Sequence, residues 1–301
     1  IAKSDLFNEN YRAFLNRELN NAMNCIDFDG DELSGVAEAK QYLEDVVFSN
    51  DTYKGTGDVA LVAHSHLDIA YYWRRIYAVQ KNLRTVLIQL RLMDKYPDYK
   101  FTLSQPELYR YLKEEAPEKY DELKELVKCG RFEPEGGMWV ECDCNLVSGE
   151  SFVRQFLHGK KFFKDEFDAD SKVLFLPDVF GYSAALPQIL RKSGEDYFVT
   201  SKISWNDTNT MPCDMFYWEG IDGTEIFTSF MTAQVFGGIP GKGGKNRTTY
   251  NAHITPSFVK GTWDRFGQKE YTNRIFMTYG YGDGGGGPTK EMLEIQRRTA
   301  R

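Results

Sequence analysis

The feature that most constrains the fold is a repeated alternation of short apolar runs with helix-like segments. Residues 59–63 and 173–176 are apolar throughout, as expected for strands that are covered on both faces. Helical patterns at about 71–95 and 106–127, the second interrupted at Pro117, follow the first run. Because parallel strands need crossover connections, this order predicts an α/β fold with a mainly parallel sheet, either open or closed as a seven-stranded (β/α) barrel-like domain.

The pattern also predicts where the chain divides. Residues 1–57 are polar and helix-biased and are interpreted as a helical lead-in and linker, whereas residues 58–301 form the α/β domain. The chain begins at Ile1 and stops at Arg301 inside a helical pattern, so we interpret it as a piece truncated at the C-terminus. Further strands are expected near residues 101–103, 131–135, 197–200, 215–218, 225–230 and 275–279, and further helices at about 150–166 and between Ser183 and Gly194.

Composition excludes several classes of protein. The net charge is -7, with 37 Lys and Arg against 44 Asp and Glu, which argues against a nucleic-acid partner. No apolar stretch approaches the roughly 20 residues of a membrane helix. Five cysteines are an odd number scattered through a large chain, unlike a disulfide scaffold, so a reducing cytoplasm is favoured.

The first candidate site is His64-Ser65-His66-Leu67-Asp68, which directly follows the apolar run 59–63. In extended backbone, residues two apart point the same way, so His64, His66 and Asp68 are able to share one face. Imidazole nitrogen and carboxylate oxygen together suit a divalent metal such as zinc. An isolated His-x-Asp pair is more often a hydrogen-bonded strand end than a metal site, and both interpretations stay open here.

Two further acids stand where apolar strands end. Asp178 follows the run 173–176; because Ser183 is better placed to cap the next helix, Asp178 is a candidate nucleophile or metal ligand. Asp283 stands among the glycines of residues 280–287, after the strand expected at 275–279. Those glycines match G-x-G-x-x-G, but no later strand with an acid follows, which argues against a dinucleotide site. A flexible turn remains the alternative for this loop.

Taken in this order, the three motifs resemble those of glycoside hydrolase family 38, the α-mannosidases, in its cytosolic, vacuolar and bacterial branch. The resemblance extends over residues 58–289 and includes the stretches 132–141, 148–151 and 202–206. It implies a retaining, zinc-dependent α-mannosidase that hydrolyses terminal α-mannosides of oligosaccharides through a glycosyl-enzyme intermediate. The family's downstream helical bundle and β-sandwich regions are absent from this chain, so we expect it to be an N-terminal catalytic-domain fragment.

The resemblance also implies roles for individual residues. His66, Asp68 and Asp178 are metal ligands for one Zn²⁺, Asp178 is in addition the nucleophile, and Asp283 is the candidate general acid/base. The fourth ligand, a His, is expected beyond the end of this chain, so weak or no zinc binding and no activity are expected of the isolated piece. The residues expected to contact the sugar are Tyr71, which stands where the family usually has Trp, and Trp73, Trp139, Phe180 and Lys202.

Two other functions stay open at this point. A zinc-dependent polysaccharide deacetylase also uses strand-end Asp and His ligands, although the additional His-x-x-x-His pair it normally carries is missing. A non-catalytic carbohydrate-binding fragment would keep the aromatic residues without a complete metal site. The expected partner is a mannose-containing oligosaccharide rather than nucleic acid or a membrane, and a homo-oligomer of the full-length protein is left open.

Overall fold

The chain divides into two compact units, residues 1–58 with 297–301 and residues 59–296. The computed structural model describes residues 9–30, 34–50, 57–206, 208–209, 211–236 and 247–299. In the first unit, helix α1 (Glu9–Met23) packs on α2 (Val36–Leu43), which continues into a π-helical turn (Glu44–Phe48). Residues 1–8, 31–33 and 51–56 of the predicted lead-in and linker lie outside the described residues.

Strands and helices alternate through the second unit, as the sequence pattern predicts. The helix expected from residue 71 begins only at Arg75, because residues 71–74 turn so that Trp73 Nε1 donates to the carbonyl of Asp68 at 3.0 Å. The elements, in chain order, are β1 (Asp58–Ala63), α3 (Arg75–Lys95), β2 (Phe101–Leu103), α4 (Pro106–Glu115), α5 (Pro117–Lys128), β3 (Phe132–Pro134), α6 (Gly149–Phe167), β4 (Val173–Leu176), α7 (Leu186–Lys192), β5 (Tyr197–Thr200), β6 (Met215–Glu219), β7 (Glu225–Phe230), α8 (Pro256–Arg265), β8 (Arg274–Tyr279) and α9 (Lys290–Thr299).

The strands of the described residues form three small sheets. Strand β1 pairs with β8, β2 runs parallel to β3, and the largest sheet has the order β4-β5-β7-β6. Strands β4, β5 and β7 are parallel, while β6 returns antiparallel to β7. The mixed α/β class and the parallel pairing are thus confirmed. The described residues do not form a closed seven-stranded barrel. Their strands stay in three separate sheets, and between the ends of β1 and β2 there is only the single bridge His64–Thr102.

Aromatic side chains fill the space between the helices and the first strands. The ring of Tyr109 on α4 contacts Phe132 on β3 and Phe163 and Phe167 at the end of α6, with ring centroids 5.3 to 5.9 Å apart. Edge-to-face pairs at this spacing add to the free energy gained by burial. This packing fixes α6 against the strand ends from which the loops described below emerge.

Gly159 in the middle of α6 allows this helix to approach the loop after β3. A Cβ atom at position 159 would lie 2.2 Å from the carbonyl oxygen of Gly137 and 2.9 Å from the amide nitrogen of Trp139. Gly159→Ala should therefore destabilise the chain by about 1–3 kcal/mol, although alanine is the better helix former by about 1 kcal/mol. Urea denaturation followed by circular dichroism measures this difference.

The same helix supplies a matched control. Gly149 lies in the first turn of α6, and nothing is within 4 Å of the position of its Cβ. Gly149→Ala should leave stability unchanged or raise it slightly. Equal midpoints for the two variants would show that the close approach at Gly159 does not constrain the packing.

Candidate active site

Side chains from the ends of four strands converge on one cavity of about 640 Å³. His66 follows β1, Asp178 follows β4, Lys202 follows β5 and Asp283 follows β8. In α/β folds, ligands bind at the carboxyl ends of the strands, where the connecting loops meet. The cavity is lined by His66, Asp68, Ala70, Tyr71, Glu141, Asp143, Asp178, Val179, Phe180, Lys202, Trp205 and Asp283.

His66 lies at the centre of the acidic groups and is buried. Its Nε2 atom is 3.0 Å from Asp68 Oδ1 and 3.7 Å from Asp178 Oδ2, and its Nδ1 atom is 3.0 Å from Glu141 Oε2. Burial works against the charged imidazolium, but the carboxylates of Glu141 and Asp68 outweigh it and raise the pKa of His66 well above its ordinary value. Carboxylates therefore surround both ring nitrogens, and a bound cation would occupy a site already shaped for positive charge.

Asp178 carries an ion pair on its other oxygen. Lys202 Nζ lies 2.6 Å from Asp178 Oδ1. The same ammonium group sits 3.8 Å from the ring centroid of Trp205, a cation–π contact. The helix expected to start near Ser183 begins only at Leu186, so the bond of Asp178 to Lys202, rather than a capping role, holds this carboxylate in the cavity.

The glycine-rich loop folds back along the segment that follows β1. Asp68 N donates to the carbonyl of Asp283 at 2.8 Å, and Gly285 N donates to the carbonyl of His66 at 3.2 Å. Asp283 itself has a positive φ of 57°, an uncommon conformation outside glycine that Asp tolerates better than most residues. This folding places the carboxylate of Asp283 beside those of Asp68 and Asp178.

Tyr250 connects this carboxylate to the rest of the site. Its buried hydroxyl donates to Asp283 Oδ1, and its ring packs edge-on against His66 with centroids 5.3 Å apart. Burial, and then the hydrogen bond to Asp283, raise the pKa of Tyr250 strongly, so its hydroxyl stays protonated as a donor.

The four groups His66, Asp68, Asp178 and Asp283 form a cluster that can hold a metal ion. One ligand atom from each lies within 4.8 Å of those of the others. One imidazole nitrogen with several carboxylate oxygens is a donor set that zinc and other divalent first-row metals accept. The donor atoms thus fit the predicted metal site. The cluster also contains Asp283, which the sequence suggested as the acid/base and not as a neighbour of the metal.

Not every predicted site residue reaches the cavity. His64 lies outside the cluster: its Nε2 is 2.7 Å from the carbonyl of Tyr250, and burial lowers its pKa to about 4, so it is neutral. Trp139 faces a different cavity with Gln155 and His158, because its ring packs edge-on against Phe162. Trp73 supports the Asp68 backbone and does not line the cavity.

Three aromatic rings form the rim of the cavity. Tyr71 and Phe180, both predicted to contact substrate, are 59% and 76% exposed, and Trp205 is 44% exposed. Exposed aromatic faces of this kind suit stacking on an amphipathic ligand such as a sugar ring. Sequence reasoning missed Trp205, Glu141 and Tyr250. The first two lie in stretches that carried the family resemblance, whereas Tyr250 gave no signal.

Known proteins similar in sequence to this chain are alpha-mannosidases. The chain is 41% identical to alpha-mannosidase G of Dictyostelium discoideum over 82% of this chain and 21% of that protein. It is 36% identical to an alpha-mannosidase of Saccharomyces cerevisiae over 99% of this chain and 27% of that protein. For human alpha-mannosidase 2C1 the identity is 38%, over 78% of this chain and 21% of the relative. The chain therefore spans roughly a quarter of the length of these relatives or less.

Solved structures support the fold. An alpha-mannosidase from Enterococcus faecalis superimposes with a TM-score of 0.60 at 21% identity, covering 81% of this chain and 27% of that one. Among the described residues, no helix combines the length and apolarity needed to cross a membrane. The family model for the N-terminal domain of glycosyl hydrolases family 38 matches residues 56–301. By this match and by its identity to named α-mannosidases, the chain belongs to glycoside hydrolase family 38.

Proposed function

We propose that this chain supplies the catalytic centre of a zinc-dependent, retaining α-mannosidase that acts on terminal α-mannosides of oligosaccharides. The observation that carries the proposal is the cluster of His66, Asp68, Asp178 and Asp283 inside an aromatic-rimmed cavity. Tyr71, Phe180 and Trp205 offer faces for the sugar ring. The membership of the chain in family 38 supports the choice of an α-mannoside as substrate.

Asp178 and Asp283 divide the reaction between them. An oxygen of Asp178 attacks the anomeric carbon while the glycosidic C–O bond breaks, and Asp283 gives its proton to the departing oxygen. Water then attacks the anomeric carbon, Asp283 takes the proton, and the carboxylate of Asp178 leaves. One oxygen of each acid lies within 4.8 Å of an oxygen of the other, and this closeness supports the retaining mechanism, whose two carboxyl groups stand only about 5–5.5 Å apart.

The other residues of the cavity prepare these two acids. When bound to His66, Asp68 and Asp178, zinc would supply Lewis-acid stabilisation and orient the sugar hydroxyls. Lys202 Nζ lies 2.6 Å from Asp178 Oδ1 and holds the nucleophile's carboxylate in place. Tyr250 donates to Asp283 and leaves the second carboxyl oxygen available for proton transfer.

The cell compartment and the remainder of the protein complete the proposal. All five cysteines are free thiols in the structure, which supports a reducing compartment such as the cytoplasm. A further His from outside this chain remains the proposed additional zinc ligand. Activity is proposed for a protein of its relatives' length, of which this chain would span about a quarter.

The test is hydrolysis of an aryl α-mannoside and of defined mannobioses by the full-length protein, with the first-formed anomer identified by proton NMR. We expect release of α-mannose before mutarotation. First-formed β-mannose would contradict the retaining mechanism. Release of acetate but not mannose from acetylated glycans would support a deacetylase, and binding without turnover would support a carbohydrate-binding fragment.

Replacing Tyr250 tests the acid/base role of Asp283. Tyr250→Phe keeps the ring on His66 but removes the donor to Asp283. We expect kcat to fall by about 10–10²-fold, less than the about 10²–10⁴-fold that general acid/base catalysis contributes as a whole, because Asp283 itself remains. A leaving group that needs no protonation, such as dinitrophenol, should restore much of the rate. Tyr217→Phe on the exposed side of β6 is the control and should be neutral; equal loss with both leaving groups would argue against this role.

A further inference from the structure

Glu141 and His66 share a contact that the reaction steps above do not use. Glu141 Oε2 lies 3.0 Å from His66 Nδ1, and the two side chains are only 5% and 3% exposed. Neither His66 Nδ1 nor Glu141 Oε2 has another hydrogen-bond partner among the described residues. The two atoms are within hydrogen-bond distance, but the Nδ1–H bond does not point directly at Oε2. Two buried polar atoms without other partners are costly unless they bond to each other, and at 3.0 Å each is the partner within reach of the other.

Glu141 is itself held from two sides. Ser104 Oγ donates to Glu141 Oε1 at 2.9 Å, and the backbone amide of Glu141 donates to Gln105 Oε1 at 3.2 Å. These bonds leave Oε2 as the atom directed at His66. The carboxylate is therefore fixed in place by contacts other than the one with the imidazole.

Gln105 links Glu141 to the backbone between the two ligands after β1. Its Nε2 atom donates to the carbonyl of Leu67, the residue between His66 and Asp68, at 3.0 Å. Gln105 is buried and has a positive φ of 66°, a conformation that costs about 1–3 kcal/mol outside glycine and persists only where surrounding contacts enforce it. One buried side chain thus ties the loop carrying Glu141 to the loop carrying His66 and Asp68.

We propose that Glu141 is a positioning residue whose carboxylate accepts a hydrogen bond from Nδ1–H of His66, which keeps the ring proton on Nδ1 and leaves the Nε2 lone pair for the metal. Gln105 sets the spacing between the two loops. The proposal rests on the proposed metal centre. Outer carboxylates that orient a ligating His in this way typically change metal affinity by about 10–100-fold when removed.

The experiment measures zinc affinity of the full-length protein by competition with a chromophoric chelator, alongside mannosidase kinetics. Glu141→Ala should weaken zinc binding by about 10–100-fold, whereas Glu141→Gln, whose amide oxygen still accepts from Nδ1, should recover a large part of it. At saturating zinc, the KM of Glu141→Ala should stay near that of the wild type, because Glu141 acts through His66 and not on the sugar. Asp121→Ala, on the exposed face of α5 and away from the cavity, is the control.

The outcomes separate this inference from the function on which it rests. Wild-type zinc affinity in Glu141→Ala, with the wild-type protein binding zinc and hydrolysing mannoside, would overturn the role of Glu141 alone. No zinc in the active wild-type protein would overturn the metal centre and this inference with it. If Glu141→Ala does not fold, Glu141→Met, which keeps the volume of the side chain but removes the acceptor for Nδ1, decides the question: wild-type zinc affinity in that variant would refute the proposal.

Discussion

Asp178→Ala is expected to lower kcat of the full-length protein on aryl α-mannosides on the order of 10⁴-fold, equivalent to about 5 kcal/mol of transition-state stabilisation. The structure gives the reason: Asp178 is the acid that faces the cavity between Lys202 and His66. Removing it takes away the group that forms the new bond to the anomeric carbon. Azide should partly restore turnover and give a β-mannosyl azide, because a small anion can enter the space left by the carboxylate.

Asp121→Ala on the exposed face of α5 is the matched control and should leave kcat and KM unchanged. A fall of less than about tenfold in Asp178→Ala, with zinc still bound, would remove Asp178 from the nucleophile's role. An azide product of α-configuration would equally contradict a single displacement at the vacant site.

Zinc removal is the second change with a large expected effect. Dialysis of the full-length protein against a chelator should lower kcat by about 10²-fold or more, since a metal ion supplies several kcal/mol of charge stabilisation, and one equivalent of zinc should restore it. Asp283 stands beside the three predicted ligands and keeps the acid/base role. With three ligands of its own, the 301-residue chain should bind zinc more weakly than the full-length protein.

Isothermal titration of the chain and of its Asp68→Asn variant measures this binding. Asp68→Asn should lose most of the affinity, because a neutral amide replaces one carboxylate of the cluster. Asp143→Asn changes an acid that lines the same cavity without belonging to the cluster, and it should bind like the wild type. Full activity after complete zinc removal would rule out a catalytic metal.

The sequence motifs predicted some residues of the site correctly and did not distinguish others. The pattern predicted that His66, Asp68, Asp178 and Asp283 stand at strand ends, and the structure brings all four together. It did not distinguish His64 from His66, because both follow the same strand at even spacing. The difference arises from Tyr250, whose carbonyl lies 2.7 Å from His64 Nε2, and from Glu141, whose carboxylate lies 3.0 Å from His66 Nδ1.

The sequence by itself determined the α/β class, the positions of most helices and strands, and the acids and imidazole that form the cluster. These follow from local patterns of apolar residues and from short motifs, which depend on neighbouring residues in the chain. Only the tertiary structure decided which side chains share the cavity. Glu141, Gln105 and Tyr250 are distant in sequence from His66. Trp139 packs against Phe162 and therefore faces a different cavity. Such contacts depend on how loops fold back on one another, and no local periodicity encodes them.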